Sequence, residues 1–377
     1  MARGHISERP PGSGRWRIQW LVGKSPQTGK YVYHNKTVRG SRRDAQKALT
    51  RILADLDAGT HIERTRYTVT QFFRRWLTDY AGCVSAHTLE HYESIVRVHI
   101  VPSFLGQMEL SSVRTADIQR YYTAKLKTLS STSVNHHNTV LSCAFRCAVE
   151  WEALAYSPVV NAKPPKISTP TTEPYIEAEL RKLVLHILGN KYELPILIAM
   201  TTGLRLSEVL GLQWGDIDVR RRRLNVERAV EKTKTYGLRL VKTKTDASRR
   251  PVRLLRCMIH KLAVARRLQR QTAAMMRSLW RGDGKLICPA DDGAIRDPDV
   301  VSKAFGRICD KVAVKRKYHR LRHTYGSLLL DRGASLKVVQ ELLGHAKIGT
   351  TGDIYVHPSD ESRDRAADAV DNVFGIM

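Results

Sequence analysis

Four prolines, Pro164, Pro165, Pro170 and Pro174, fall between Asn161 and Pro174, among lysine, serine and threonine. Each proline removes a backbone donor and fixes φ, so neither a helix nor a central strand runs through such a stretch. Proline-rich runs instead favour extended, semi-rigid spacers. The chain must therefore fold as separate bodies on either side of a linker at residues 161–174. Its 377 residues suit two to three domains. A hydrophobic content of 42% is enough to give them packed cores.

Two periodicities divide the part before the linker. Trp16, Ile18, Trp20 and Val22 alternate with Arg15, Arg17 and Gln19, the pattern of a half-buried strand. A turn at 25–29 leads into a second strand over 30–38, with Tyr31 and Tyr33 on one face; residues 5–9 read as a short strand before it. Ser41 followed by Asp44 predicts a capped helix, with Ala45, Ala48, Leu49, Ile52 and Leu53 inward and Gly59 at its end. Residues 1–62 are thus expected to form a small three-stranded sheet plus a helix. Residues 66–160 read as all-helical. Val69, Phe72, Phe73, Trp76, Leu77 and Tyr80 form one amphipathic stripe. Thr88 is placed to start the next helix, Thr115 to cap one over residues 116–127, and residues 131–152 to form the last. Beyond the linker, residues 175–377 predict an α-rich domain with one small antiparallel sheet from 224–230, 238–242 and 251–255. The fold class is multidomain and mainly α.

Lysine and arginine number 63 against 36 aspartates and glutamates, a net charge of +27. Such a charge points to a polyanion, most simply a nucleic acid. A basic surface kept for solubility, or attraction to a membrane, is the alternative. The apolar run at Leu194–Met200 falls short of a membrane span, and the first ten residues do not read as a signal peptide. Six cysteines are scattered without a Cys-x-x-Cys pair, so neither a metal site nor a disulfide framework is expected. The expected setting is a reducing cytosol or the nucleoid. Candidate DNA contacts are Arg15, Arg17, Tyr31, Tyr33, Thr88 and Lys242.

Chemistry concentrates in three stretches. Thr202-Gly203-Leu204-Arg205-Leu206-Ser207-Glu208 places an arginine after a glycine turn, with a carboxylate three residues on to hold it. His319-Arg320-Leu321-Arg322-His323 puts an imidazole and a cation three apart on one helix face. Leu343-Gly344-His345 ends a helix, and Tyr355 follows ten residues later. A tyrosine with a pKa of about 10 is a poor nucleophile at neutral pH without a base or nearby cations. Arginines and histidines supply both, and a guanidinium forks onto phosphate oxygens.

Taken in order, these stretches resemble the tyrosine recombinases, the phage-type integrases. Residues 201–208 look like the first arginine box of that family, His319–Thr324 like its second, and 342–357 like its nucleophile segment. Residues 66–160 are similar to its helical core-binding domain, and 1–62 to an arm-type DNA-binding domain. The resemblance implies a site-specific DNA recombinase that integrates, and excises, a phage or mobile element. Tyr355 would attack the scissile phosphate to give a 3′-phosphotyrosyl bond, without metal, ATP or other cofactor. Arg205 and Arg322 would hold the phosphate, His319 would take the tyrosine proton, and His345 would add a hydrogen bond. Glu208 and His323 would support them. A lysine on the hairpin would protonate the leaving oxygen; Lys244 fits the spacing better than Lys242, and both remain candidates.

The implied partners are core-type and arm-type double-stranded DNA sites and a homotetramer on synapsed DNA. A host DNA-bending protein and a directionality factor are implied as well. Two departures stand out: Lys317-Tyr318 precedes the second box where the family often has a small residue or proline, and Gly352 is placed to loosen the tyrosine segment. Residues 359–371 read as a helix in a tail that would pack on a neighbouring protomer. Competing readings are a regulator of the same fold that binds DNA without cutting it, a type IB topoisomerase-like activity, and a metal-dependent transposase or nuclease. The last lacks a well-spaced acidic triad.

Overall fold

The computed structural model describes residues 4–24, 31–57, 67–167, 173–243, 249–315, 317–344 and Gly349. By its internal contacts the chain divides into residues 1–168 and 169–377. Among the described residues, no helix is long and apolar enough to cross a membrane.

The first part holds two separate cores. Strands β1 (Gly4–Glu8), β2 (Arg15–Lys24) and β3 (Tyr31–Arg39) form an antiparallel sheet in that order. Its register sets Ile6 opposite Ile18 and Trp16 opposite Val38. The two-residue period therefore turns Ile18 and Trp20 onto helix α1 (Arg42–Asp57), where Ala45 and Leu49 meet them. Ser41 caps that helix as expected: its amide donates to Asp44 Oδ2 at 2.9 Å and its hydroxyl oxygen accepts from the Asp44 amide at 3.2 Å.

The second core is helical. Its elements are α2 (Val69–Asp79), α3 (Ala86–Ile95) with one wider turn at Val96–Ile100, α4 (Phe104–Gln107), α5 (Thr115–Leu126) and α6 (Ser131–Glu150). The amphipathic stripe of α2 is buried, with Phe73 edge-on to Phe145 at 5.6 Å and Trp76 stacked against Tyr80 and Tyr92. Two helix starts differ from expectation. Ser85, not Thr88, caps α3, because the Ser85 hydroxyl reaches the Thr88 amide at 3.3 Å. Thr115 is the first residue of α5, and the carboxylate of Asp117 accepts from the Arg114 amide at 3.1 Å. The linker also begins later than its composition suggests. Ala162 is buried in the helical core, and Gln119 and Asn135 hold the backbone at Lys163 and Pro165.

Residues 169–377 form the other part. Helices α7 (Glu177–Ile187), α8 (Glu193–Thr202) and α9 (Leu206–Gly211) come first, then strands β4 (Ile217–Asp218), β5 (Arg223–Val226), β6 (Arg228–Thr233), β7 (Gly237–Lys242) and β8 (Arg250–Arg253). Helices α10 (Arg256–Met276), α11 (Pro298–Lys311), α12 (His319–Asp331) and α13 (Leu336–Leu343) follow. The apolar run at Leu194–Met200 lies in α8, which packs against α7, α9, α10 and α12. A single small sheet was expected here, and the described residues form two. Strands β4, β5 and β8 form one, and β6 and β7 form a separate hairpin. The break falls at Glu227, within what reads in sequence as one strand. Asp297 caps α11 through the Asp299 amide at 2.9 Å, with Pro298 in its first turn.

Candidate active site

The first box turns on Gly203. It ends α8 at φ 67°, in the left-handed region, and a Cβ there would lie 2.4 Å from Tyr325 Cδ1. Only glycine fits both conditions without strain. Two residues later Arg205 stands at the N-terminal cap of α9 with extended backbone. Glu208 then folds back on it. Its Oε2 accepts from the Arg205 amide at 3.0 Å and its Oε1 from Arg205 Nη1 at 2.8 Å. The carboxylate is almost fully buried, whereas the Arg205 side chain keeps about a third of its surface open. Burial pushes the Glu208 pKa up, but Arg250, the Arg205 amide and the Arg205 guanidinium outweigh it and hold the carboxylate below its usual range.

The second box opens α12. His319 is the first residue of that helix, and the His323 ring lies edge-on to it, one turn later, at 4.9 Å. The His319 residue as a whole is exposed, yet its imidazole pKa is lowered to about 4. Desolvation is the largest cause, followed by the charges of His323, Arg322 and Arg205, with Glu208 opposing. So low a value leaves the imidazole neutral at neutral pH, and a weaker base than an ordinary histidine. Burial likewise lowers His323, with Arg322 and Lys317 adding to it.

Arg322 is 2% exposed. Its Nη1 donates to the Gly203 carbonyl at 2.9 Å, and its Nη2 donates to the carbonyl of Leu343. Two carbonyl oxygens therefore orient this guanidinium. Leu343 is the last residue of α13, and Gly344 ends that helix at φ 66°. The turn after α8, the start of α12 and the end of α13 thus meet at Arg322. Tyr318, just before the second box, is a core residue; its hydroxyl donates to the Pro195 carbonyl at 2.7 Å and its ring lies against Phe305.

Arg205, Glu208, His319, Arg322 and His323 therefore share one neighbourhood. His345, Tyr355 and Lys244, with Gly352 and the tail at 359–371, lie outside the described residues. Lys242 is the exposed last residue of β7, paired with Arg228 across the hairpin. Among the described residues, no group of three His, Cys, Asp or Glu side chains is arranged to hold a metal ion. In the other part, Tyr31 and Tyr33 are 58% and 52% exposed, Arg15 is exposed and Arg17 half-buried. Gln19 lies opposite Asn35 and Arg17 opposite Thr37 on the sheet face turned away from α1. The Thr88 hydroxyl shares a 2.9 Å hydrogen bond with Ser85 at the start of α3.

Sequence reasoning passed over Arg250. It is 8% exposed, at the start of β8, with Nη2 3.3 Å from Glu208 Oε2 and Nε 2.6 Å from the Leu342 carbonyl. A two-residue period was the available signal, since Arg250 shares the buried face of β8 with Val252. Asn35 and Thr37 were also missed as members of the outer sheet face, where they pair with Gln19 and Arg17.

The model of the phage integrase family matches residues 177–362, and that of the phage integrase N-terminal SAM-like domain matches residues 68–126. A tyrosine recombinase XerC-like protein from Caldanaerobacter subterraneus subsp. tengcongensis is 28% identical, over 96% of this chain and 97% of its own. The ICEBs1 integrase of Bacillus subtilis is 25% identical, over 96% of this chain and 98% of its own. Among solved structures, the Tn1549 transposon integrase in complex with a circular intermediate DNA superposes with a TM-score of 0.68 at 22% identity, covering 80% of this chain and 99% of that one. A lambda integrase tetramer bound to a Holliday junction gives 0.57 at 18% identity, covering 95% and 97%. At these identities the structural likeness establishes the fold.

Proposed function

Because this chain belongs to the phage integrase family of tyrosine recombinases, we propose that it is the integrase of a phage or mobile element, cutting and rejoining double-stranded DNA through Tyr355. The observation that carries this reading is the cluster of Arg205, Arg322 and a neutral His319, held together by Glu208 and two carbonyls. In the proposed reaction Arg205 and Arg322 hold the non-bridging oxygens of the scissile phosphate. His319 takes the proton of the Tyr355 hydroxyl as its oxygen attacks phosphorus. The bond to the 5′ oxygen breaks, and that oxygen receives a proton from Lys244 or Lys242. One phosphodiester replaces another, so the step needs no external energy source, and a 5′-hydroxyl from a second strand reverses it. Preorganised cations stabilise the charge that builds on phosphorus, usually the largest single contribution to such a step. His345 adds a hydrogen bond to the same phosphate.

The DNA partners proposed are core-type sites for residues 66–377 and arm-type sites for the N-terminal sheet. The outer face of that sheet carries arginine, glutamine, asparagine and tyrosine, side chains able to meet base edges and phosphates. The tetramer on a Holliday junction formed by the lambda integrase supports a tetramer here. A host bending protein, a directionality factor and a place at the bacterial nucleoid are part of the same proposal.

The test is a nicked suicide duplex carrying the junction sequence of the element that encodes the chain, incubated in EDTA. A covalent protein–DNA adduct that Tyr355→Phe abolishes is expected. Cleavage that requires Mg²⁺ or survives Tyr355→Phe overturns the reading. Binding without an adduct would favour a regulator of the same fold, and relaxation of plasmids lacking the site would favour topoisomerase-like activity.

A further inference from the structure

We propose that Arg250 is a positioning residue of the cleavage site, holding Arg205 and the end of α13 in one frame. The inference rests on the reading of the site as one that cuts DNA. Arg250 reaches two elements at once. Its Nη2 lies 3.3 Å from Glu208 Oε2, and its Nε donates to the Leu342 carbonyl at 2.6 Å. The same Glu208 oxygen accepts from the Arg205 amide, and the other accepts from the Arg205 guanidinium. One buried carboxylate therefore orients both arginines.

The next carbonyl along α13, that of Leu343, belongs to Arg322, which also donates to Gly203. Arginines from β8 and α12 thus hold successive carbonyls of one helix end, and both reach back to residues 203–208. The last carbonyls of a helix lack intrahelical partners and carry partial negative charge. A planar guanidinium serves such a carbonyl and a carboxylate at fixed angles, which a lysine ammonium does not. A shift of the α13 end would draw Arg250 off Leu342 and change its hold on Glu208. The direction of Arg205 would change with it. The chain leaving α13 is the one that leads to Tyr355. Arg250 therefore ties the alignment of Arg205 to the position of the α13 end.

The full-length protein and its Arg250→Lys, Arg250→Met and Glu208→Gln/Arg250→Met variants would be compared on nicked suicide duplexes. The scissile phosphate is either the ordinary diester or a methylphosphonate, which carries no anionic charge. Arg250→Met is expected to slow adduct formation on the diester by roughly 100-fold, the cost of a misplacement of about 1 Å, with DNA affinity unchanged. On the methylphosphonate the deficit should shrink to under about tenfold, because a neutral phosphate no longer depends on an aligned cation. Arg250→Lys should fall between wild type and Arg250→Met. An equal deficit on both substrates would mean a structural role alone and overturn the proposal, as would cleavage at the wild-type rate. If Arg250→Met does not fold, Arg250→Lys carries the same comparison, and the double variant shows what loss of Glu208 adds. Absence of an adduct with the wild-type protein on either substrate would instead overturn the cleavage reading itself.

Discussion

Arg320 lies over the ring of Tyr175, with Cζ 4.3 Å from the ring centre. Its Nε donates to the Glu173 carbonyl and its Nη2 to the Pro174 carbonyl at 2.9 Å, with Glu179 3.7 Å away. The Tyr175 amide completes the contact by donating to Thr324 Oγ1 at 2.8 Å. Two residues on, Arg322 faces the site. One helix therefore carries a structural arginine and a site arginine side by side. Arg320→Ala should destabilise the protein by about 2–4 kcal/mol, from lost charge-assisted hydrogen bonds and the ring contact. Denaturant unfolding measures this, and cleavage at a temperature where the variant stays folded should change only a few-fold.

Arg322→Ala should also destabilise, since it releases two buried carbonyls, but its larger effect should be on the chemistry. Loss of one preorganised cation costs on the order of 10²–10³ in rate. Single-turnover adduct formation on the suicide duplex checks it, with DNA affinity as the control. Arg322→Lys should recover little, since an ammonium cannot reach Gly203 and Leu343 in the same plane.

Gly203→Ala should be destabilising from two sources. The left-handed backbone costs about 1–2 kcal/mol for a residue with a Cβ, and the contact with Tyr325 adds about 1–3 kcal/mol of overpacking. Thermal unfolding should show a lower midpoint. Gly203→Ala/Tyr325→Leu should recover the second part and not the first.

Stability should fall in acid. His319 and His137 are both held at about 4, each chiefly by burial, against about 6.5 in an unfolded chain. Between those values the unfolded state binds more protons. The stability these groups contribute is therefore present above about pH 6.5 and lost as pH falls toward 4. His137 is buried against Tyr121, whose hydroxyl lies 3.1 Å from Nδ1. His137→Phe should flatten part of the pH slope in urea unfolding. A slope unchanged by that variant would contradict the assignment.

Arg17→Ala and Tyr33→Ala should weaken binding to arm-type sites while leaving core-type sites unaffected. Electrophoretic mobility shifts on the two duplexes measure the difference. If Arg17 contacts a phosphate, the slope of log K against log salt for the arm site should shrink by about 0.9. An unchanged slope with altered sequence preference would place Arg17 on a base.

Much of this fold was legible in the sequence because strong local signals stood alone. The Ser41–Asp44 cap, the aromatic stripe of α2 and the Asp297-Pro298 start of α11 each set an element without help from the rest of the chain. The Arg205–Glu208 pair was legible for the same reason, since residues three apart on a helix meet. Glu227 is different. Nothing in its side chain announces that one run of residues splits between two sheets; the split depends on β8 returning to pair with β5. Arg250 was hidden likewise, because its partners lie 42 and 92 residues away. Thr88 misled as a helix start and Thr115 as a cap, because Ser85 caps α3 three residues before the one and Asp117 reaches back to the Arg114 amide two residues after the other.

The pairing of β5 with β8 closes off everything between Val226 and Arg250 as an insert. Inside it, Arg228 grips Asp216 at 2.7 Å, and Lys232 grips Asp297 and Asp299 at 2.8 and 2.6 Å. Strand β6 is thus anchored at both ends, by Arg228 at its base and by Lys232 near its tip, and the turn at 234–236 lies beyond the anchors. Lengthening that turn costs little, since each doubling of a loop adds only about 0.6 kcal/mol of closure entropy. The turn can therefore lengthen while β5 and β8 keep their pairing.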